Sequence, residues 1–208
     1  MYSLENFCTS VIPSVLIGFG LGAIPFGFLL SKIFLGLDPR KIGSGNIGAT
    51  NVLRTGHKYL AILTLLLDAL KGWVAVFIIQ KIYPSVHEVE PYIAGLSAII
   101  GHMYTPWLRF KGGKGASTTA GALFALSWPV GLCTMFTWLI TIITTRYSSL
   151  ATLLGAIGMS IYAAYFGNHY LTIWCLVVAF IVALKHKDNI HRLIQGRELR
   201  IGAKQQKD

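Results

Sequence analysis

Long apolar runs separated by short polar, glycine-rich or basic interruptions dominate the chain, and the interruptions divide it. A helix needs about 20 mainly apolar residues to cross about 30 Å of hydrocarbon. Runs centred on 11–31, 59–80 and 91–108 meet that need, the second with Asp68 and Lys71 inside it. Between Lys114 and Arg146 lie 31 uncharged residues. That is too long for one straight span, and Pro129 near the middle marks a break at Trp128-Pro129. The remaining run divides at Gly167-Asn168-His169 into spans near 149–166 and 170–185. The pattern predicts an all-α polytopic membrane protein of seven short transmembrane helices, and residues 1–208 read as a single transmembrane domain without repeats or linkers.

Composition supports that reading. Of 208 residues, 54% are hydrophobic and only 12% charged, about half the charge of an ordinary soluble domain. Seven crossings place sixteen of the 18 Lys and Arg on one face, which by the positive-inside rule is cytoplasmic. The N-terminus is then external and the C-terminus cytoplasmic. The net charge of +10 therefore suits anionic lipid headgroups or phosphorylated substrates and gives no reason to expect nucleic acid. Cys8, Cys133 and Cys175 lie far apart, and neither a disulfide framework nor a metal site is expected. With the first basic residue at Lys32, no cleaved leader is expected either.

Three polar clusters share the inner face. The first runs from Lys41 to Arg54; Ser44, Asn46 and Asn51 offer short hydrogen-bonding groups and Arg54 a planar cation, which suits a phosphate. Gly43, Gly45 and Gly48 fit a dinucleotide fingerprint, but no strand precedes them. The second cluster holds Gly101-His102 and then Arg109 to Thr119, where Lys111, Gly112, Gly113, Lys114 and Gly115 combine close backbone approach with charge at a helix N-terminus. Its order is not that of a Walker A loop. The third runs from Lys185 to Glu198 and, as a helix, aligns His186, Asn189 and Arg192 at steps of three. Such a face could supply acid–base and oxyanion groups. Ser149, beside Arg146, either caps the next helix or touches a ligand. Asp68 and Lys71 read either as a functional pair within a span or as a neutralising pair that fixes helix packing.

Taken together, the stretches 44–51, 101–115 and 186–198 resemble the acyl-phosphate-dependent glycerol-3-phosphate acyltransferases of bacterial membranes, the PlsY family. The resemblance implies transfer of a fatty acyl group from acyl phosphate to the sn-1 hydroxyl of glycerol 3-phosphate at the cytoplasmic side of the inner membrane. The products would be lysophosphatidate and phosphate, with no cofactor, carrier protein or coenzyme A. It also implies that Ser44 and Arg54 are essential, that the glycines and lysines at 111–115 form the glycerol-3-phosphate site, and that His186 and Asn189 serve turnover. Ser149 would contact substrate and Glu198 would maintain structure. The implied partners are the two substrates, membrane lipids and, as a candidate, the enzyme that makes the acyl phosphate.

An activated acyl donor needs no nucleophilic residue, so positioning and charge stabilisation suffice. The soluble HxxxxD acyltransferase signature is absent. Either His186 or a substrate phosphate takes the hydroxyl proton; Lys185 and Lys187 disfavour an imidazolium and so favour the phosphate. The rival reading is a small transporter or channel for an anionic solute, against which stands the want of a repeated pair of midplane polar sites.

Overall fold

The computed structural model describes residues 7–83 and 89–202. Glu5, Glu88, Lys204, Lys207 and Asp208, which enter the charge count, lie outside the described residues. Ten α-helices make up the described chain: α1 (Ile12–Gly22), α2 (Phe26–Leu35), α3 (Ala49–Leu53), α4 (Lys58–Ile82), α5 (Glu90–Met103), α6 (Ala116–Leu126), α7 (Trp128–Thr145), α8 (Ser148–Phe166), α9 (His169–Lys185) and α10 (Lys187–Ile194).

The break between α6 and α7 falls where the pattern places it. Ser127 is extended (φ −157°), Leu126 ends one helix and Pro129 sits in the first turn of the next, where its missing N–H costs nothing. Two other ends differ from expectation. The first apolar run is interrupted at Ala23–Pro25, splitting it into α1 and α2. The third stops at Met103, after which Pro106–Leu108 forms a 3-10 turn.

Among the described residues, four stretches are long and apolar enough to cross a membrane: Thr9–Leu35, Lys58–Ile82, Trp128–Thr145 and Ser148–Phe166. A fifth is added if α9 and α10, bent by 66°, are taken together. Helix length alone therefore supports four to five spans against the seven expected. The difference lies mainly in α5 and α6, which at 1.5 Å per residue reach only about 21 and 17 Å. Charge-free windows count the loops flanking such helices along with the helices themselves.

Large apolar side chains such as Ile33, Ile62, Ile143 and Phe180 are exposed on the outside of the bundle, as lipid-facing residues are. Small residues hold the helices together, because lipid is as apolar as leucine and close packing must replace hydrophobic collapse. Gly18 and Gly22 press α1 onto α5: a β-carbon there would stand 2.3 Å from Ala94 O and 2.0 Å from Ala98 O. Gly72 and Gly121 do the same for α4 and α6, at 2.3 Å from Thr118 O and 1.8 Å from Ala69 O. The result is a bundle whose polar loops, 36–57, 104–115 and 186–200, can meet one another across its end.

Candidate functional site

The first loop is built around one amide. Asn51, buried in α3, donates from Nδ2 to the carbonyls of Pro39 (2.7 Å), Ile42 (3.0 Å) and Asn46 (2.7 Å). Its Oδ1 accepts from Ser44 N–H (3.0 Å), Ser44 Oγ (3.2 Å) and Arg54 Nη1 (3.2 Å). Asn51 is thus committed to shaping the loop, and it places Ser44 and Arg54 side by side. Among the described residues Asn51 Oδ1 is the one hydrogen-bond acceptor of Arg54, which leaves other guanidinium protons for a ligand, and burial lowers its pKa, with Glu198 opposing and Arg192 adding to the effect.

In the second loop the glycines serve contact more than an open nest. Gly112 N–H donates to Met103 O (3.1 Å) and Gly113 N–H to His102 O (3.0 Å), so both point back to the end of α5. Gly113 also lies against the His102 ring, where a β-carbon would come within 2.0 Å of Nε2. Gly115 takes a left-handed conformation (φ 84°) that turns the chain into α6. Lys111 is exposed, whereas Lys114 is drawn inward and donates to Asn189 Oδ1. Burial first, then the nearby Arg192 cation, pushes Lys114 down to about 8.

The third cluster converges on Glu198. Its Oε1 accepts from Ser149 Oγ (2.7 Å) and Asn189 Nδ2 (2.6 Å), and its Oε2 pairs with Arg192 Nε (2.7 Å). Burial works to raise the Glu198 pKa, but these hydrogen bonds and the Arg192 charge together hold it below the ordinary carboxylate value. Asn189 and Arg192 do share a face, both reaching Glu198, and His186 stands at the 66° bend between α9 and α10. The His186 ring is oriented from its own helix: Nδ1 lies 2.8 Å from Val182 O. A carbonyl can only accept, so Nδ1 carries the proton and Nε2 is left as an acceptor. Burial lowers its pKa to about 4, leaving the imidazole neutral at pH 7.

Most of these residues share one cavity of about 500 Å³. Ser44, Asn46, Asn51, Arg54, Lys114, Gly115, Ser149, His186, Asn189 and Glu198 line its polar part; Lys111, Gly112 and Gly113 are not among the lining residues. Leu65, Leu66, Phe124, Met135, Trp138 and Met159, from α4, α6, α7 and α8, line an apolar remainder. Further contributors were residues to which sequence reasoning gave no settled role. Thr50 and Ser148, 2.9 Å apart through their hydroxyls, tie the first loop to α8. Asp68 and His102 also reach the lining, and the signal for them was a charged residue inside a span and a histidine ending one. A site of this kind can hold anionic headgroups beside an apolar tail and apply two cations and a neutral imidazole to them.

Comparison with known proteins gives a consistent answer. Residues 12–196 match the family model described as glycerol-3-phosphate acyltransferase. The chain is 42% identical over 208 residues to the glycerol-3-phosphate acyltransferase of Cereibacter sphaeroides, covering 100% of this chain and 98% of that one. It is 48% identical over 184 residues to the enzyme of the same name from Dinoroseobacter shibae, covering 88% and 89%. Among solved structures, PlsY (YgiH), described as an integral membrane glycerol 3-phosphate acyltransferase, superposes with a TM-score of 0.87 in its glycerol 3-phosphate form, at 35% identity over 93% of this chain and 96% of that one. Its lysophosphatidic acid form gives 0.84 at 34% identity, with the same coverage.

Proposed function

The chain belongs to the glycerol-3-phosphate acyltransferase family, a family of multi-pass bacterial membrane enzymes, and from that premise we propose how its cavity works. The protein transfers a fatty acyl group from acyl phosphate to the sn-1 hydroxyl of glycerol 3-phosphate, releasing lysophosphatidate and phosphate. The observation that carries this reading is the division of one cavity into a cationic, hydrogen-bonding end and an apolar remainder. Both substrates are phosphates and only one has a fatty chain, so a single cavity of that kind accommodates the pair.

Arg54 and Lys114 hold the phosphates, Arg54 through a planar fork and Lys114 as a point charge. Ser44 stands beside Arg54, and its hydroxyl proton, given to Asn51 Oδ1 here, turns to the same anion when it binds, while Asn46 and Ser149 line the approach. Exposed Lys111 adds to the field that draws anions in. The glycerol oxygen attacks the acyl carbonyl carbon, a new C–O bond forms, and the bond from that carbon to the phosphate oxygen breaks. His186 Nε2 accepts a hydrogen bond from the bound glycerol and orients it, leaving the proton of the attacking hydroxyl free to leave in another direction. With a pKa of about 4 the imidazole is a poor resting place for the proton. A substrate phosphate oxygen, whose second pKa is about 6, receives it instead. Asn189 holds Lys114, and Glu198 holds Asn189, Ser149 and Arg192.

The same proposal includes the orientation. Seven crossings, with α1 and α2 as one and α4 to α9 as the others, put the polar loops and the C-terminus in the cytoplasm and the N-terminus outside. The charge count supports this, as does the meeting of all three polar loops at one cavity. A cysteine at position 205 should react with an impermeant thiol reagent only in opened cells; labelling of intact cells would reverse the orientation. For the activity, purified protein supplied with acyl phosphate and glycerol 3-phosphate should form lysophosphatidate, and acyl coenzyme A should not replace the donor. Movement of anion across sealed vesicles without product would instead favour transport.

A further inference from the structure

Asp68, Lys71 and His102 take no part in that scheme, yet they form a charged cluster deep in the bundle. The side chains of Lys71 and Asp68 are 2% and 3% exposed. Lys71 Nζ lies 2.7 Å from Asp68 Oδ1, 2.8 Å from Ile24 O and 2.9 Å from His102 Nδ1. An ammonium donates and cannot accept, so Lys71 gives protons to Ile24 O and His102 Nδ1, while Asp68 Oδ1, which accepts no hydrogen bond, faces it as an ion pair. His102 Nδ1 must then be the accepting nitrogen. The ring is neutral with its proton on Nε2, and its rotation is set from α4.

The other edge of that ring lies under the second loop. A β-carbon on Gly113 would stand 2.0 Å from Nε2, a separation that leaves no room for any side chain there. The backbone of the same histidine accepts from Gly113 N–H, and the next carbonyl accepts from Gly112 N–H. The Gly112–Gly113 turn therefore rests on His102 by ring contact and by hydrogen bonds, and Lys114 follows it directly into the cavity. A buried ion pair is weak evidence for added stability, since desolvation offsets its attraction. Its geometric consequence here is specific: it fixes the ring that seats the turn.

We propose that Asp68, Lys71 and His102 are positioning residues that seat the Gly112–Gly113 turn and so hold the Lys114 ammonium at the phosphate end of the cavity. This rests on the reading of Lys114 as a phosphate ligand. Asp68 and His102 reach the cavity wall with only 3% and 4% of their side chains exposed, and each member of the cluster acts through the turn.

Two kinds of measurement on the full chain in detergent test it: amide hydrogen exchange across residues 110–116, and the KM for glycerol 3-phosphate beside kcat. Asp68→Asn/Lys71→Met removes both charges together and leaves neither buried alone; His102→Ala removes the seat itself. In both, exchange at Gly112 and Gly113 should quicken and KM should rise about tenfold or more, with kcat changed much less. Gly113→Ala should cost less in the His102→Ala background than in the native chain, because its β-carbon then has room. Unchanged exchange in folded variants, or additive losses in the double variant, would overturn the positioning role. A loosened turn with an unaltered KM would overturn the phosphate reading of Lys114 on which the inference rests.

Discussion

Two ionic clusters join distant parts of this chain, and they differ in what they leave free. In Asp68–Lys71–His102 the ammonium lies within 2.9 Å of a carboxylate, a carbonyl and a ring nitrogen, and both charges are almost wholly buried. In the cluster around Glu198, Arg192 is 33% exposed in its side chain and Lys114 opens onto the cavity. Among the described residues Lys114 has one hydrogen-bond acceptor, Asn189 Oδ1, which leaves two protons for a ligand. The first arrangement holds a shape; the second holds a shape and keeps donors in reserve. Cations at a binding site are thus distinguished by unused donors more than by charge.

The sharpest way to break that contrast is at Arg54, whose free guanidinium protons face the cavity. Arg54→Lys should lower kcat/KM by about 10²–10³, because a point charge cannot reproduce a planar fork and loses roughly 3–4 kcal/mol of charged hydrogen bonding. Near-normal steady-state activity would make Arg54 a mere lipid contact. Next in size is Glu198→Gln, which weakens the hold on Ser149, Asn189 and Arg192 at once. Activity should fall about 10²-fold and the melting temperature should drop, both read on the same preparation. Full activity with an unchanged melting temperature would show that the carboxylate organises nothing.

A smaller effect follows from pH. Lys114 titrates at about 8, and only its protonated form carries the charge a phosphate needs. The cation is present below that value and is lost above it, so KM for glycerol 3-phosphate should rise roughly tenfold for each unit of pH above 8. Lys114→Arg should remove that alkaline limb. The smallest change is expected at His186. His186→Gln retains an acceptor and should keep activity within about tenfold, and the native profile should show no imidazole titration between pH 6 and 8 because the ring is already neutral. A loss of about 10²–10⁴ with Gln as severe as Ala would instead identify the imidazole as the base.

What the sequence made legible follows from how local each feature is. The break at Ser127 could be read because Pro129 allows a helix to begin beside it and cannot continue one. The interruption at Ala23–Pro25 carries the same proline signal, but the run it divides has the length of a single crossing and so was read as one span. Ser44, Arg54, Lys114, His186 and Asn189 were picked out by residue type and spacing, and they do line one cavity. The partners they use there depend on tertiary contact. Asn51 turned inward to its own loop, Gly112 and Gly113 donate to α5, and Glu198 gathers the third cluster. Spacing likewise paired Asp68 with Lys71 on one helix face, whereas His102 joins them only because α5 packs on α4.

The central claim is a single direct transfer carried out by positioning, with no acylated protein on the way. Phosphate release and lysophosphatidate formation, followed together in purified protein, test it most directly. Acyl phosphate alone should release no phosphate, and addition of glycerol 3-phosphate should yield one phosphate for each lysophosphatidate. A burst of phosphate from acyl phosphate alone, leaving an acyl group covalently bound to Ser44, Ser149 or any other residue, would contradict the account.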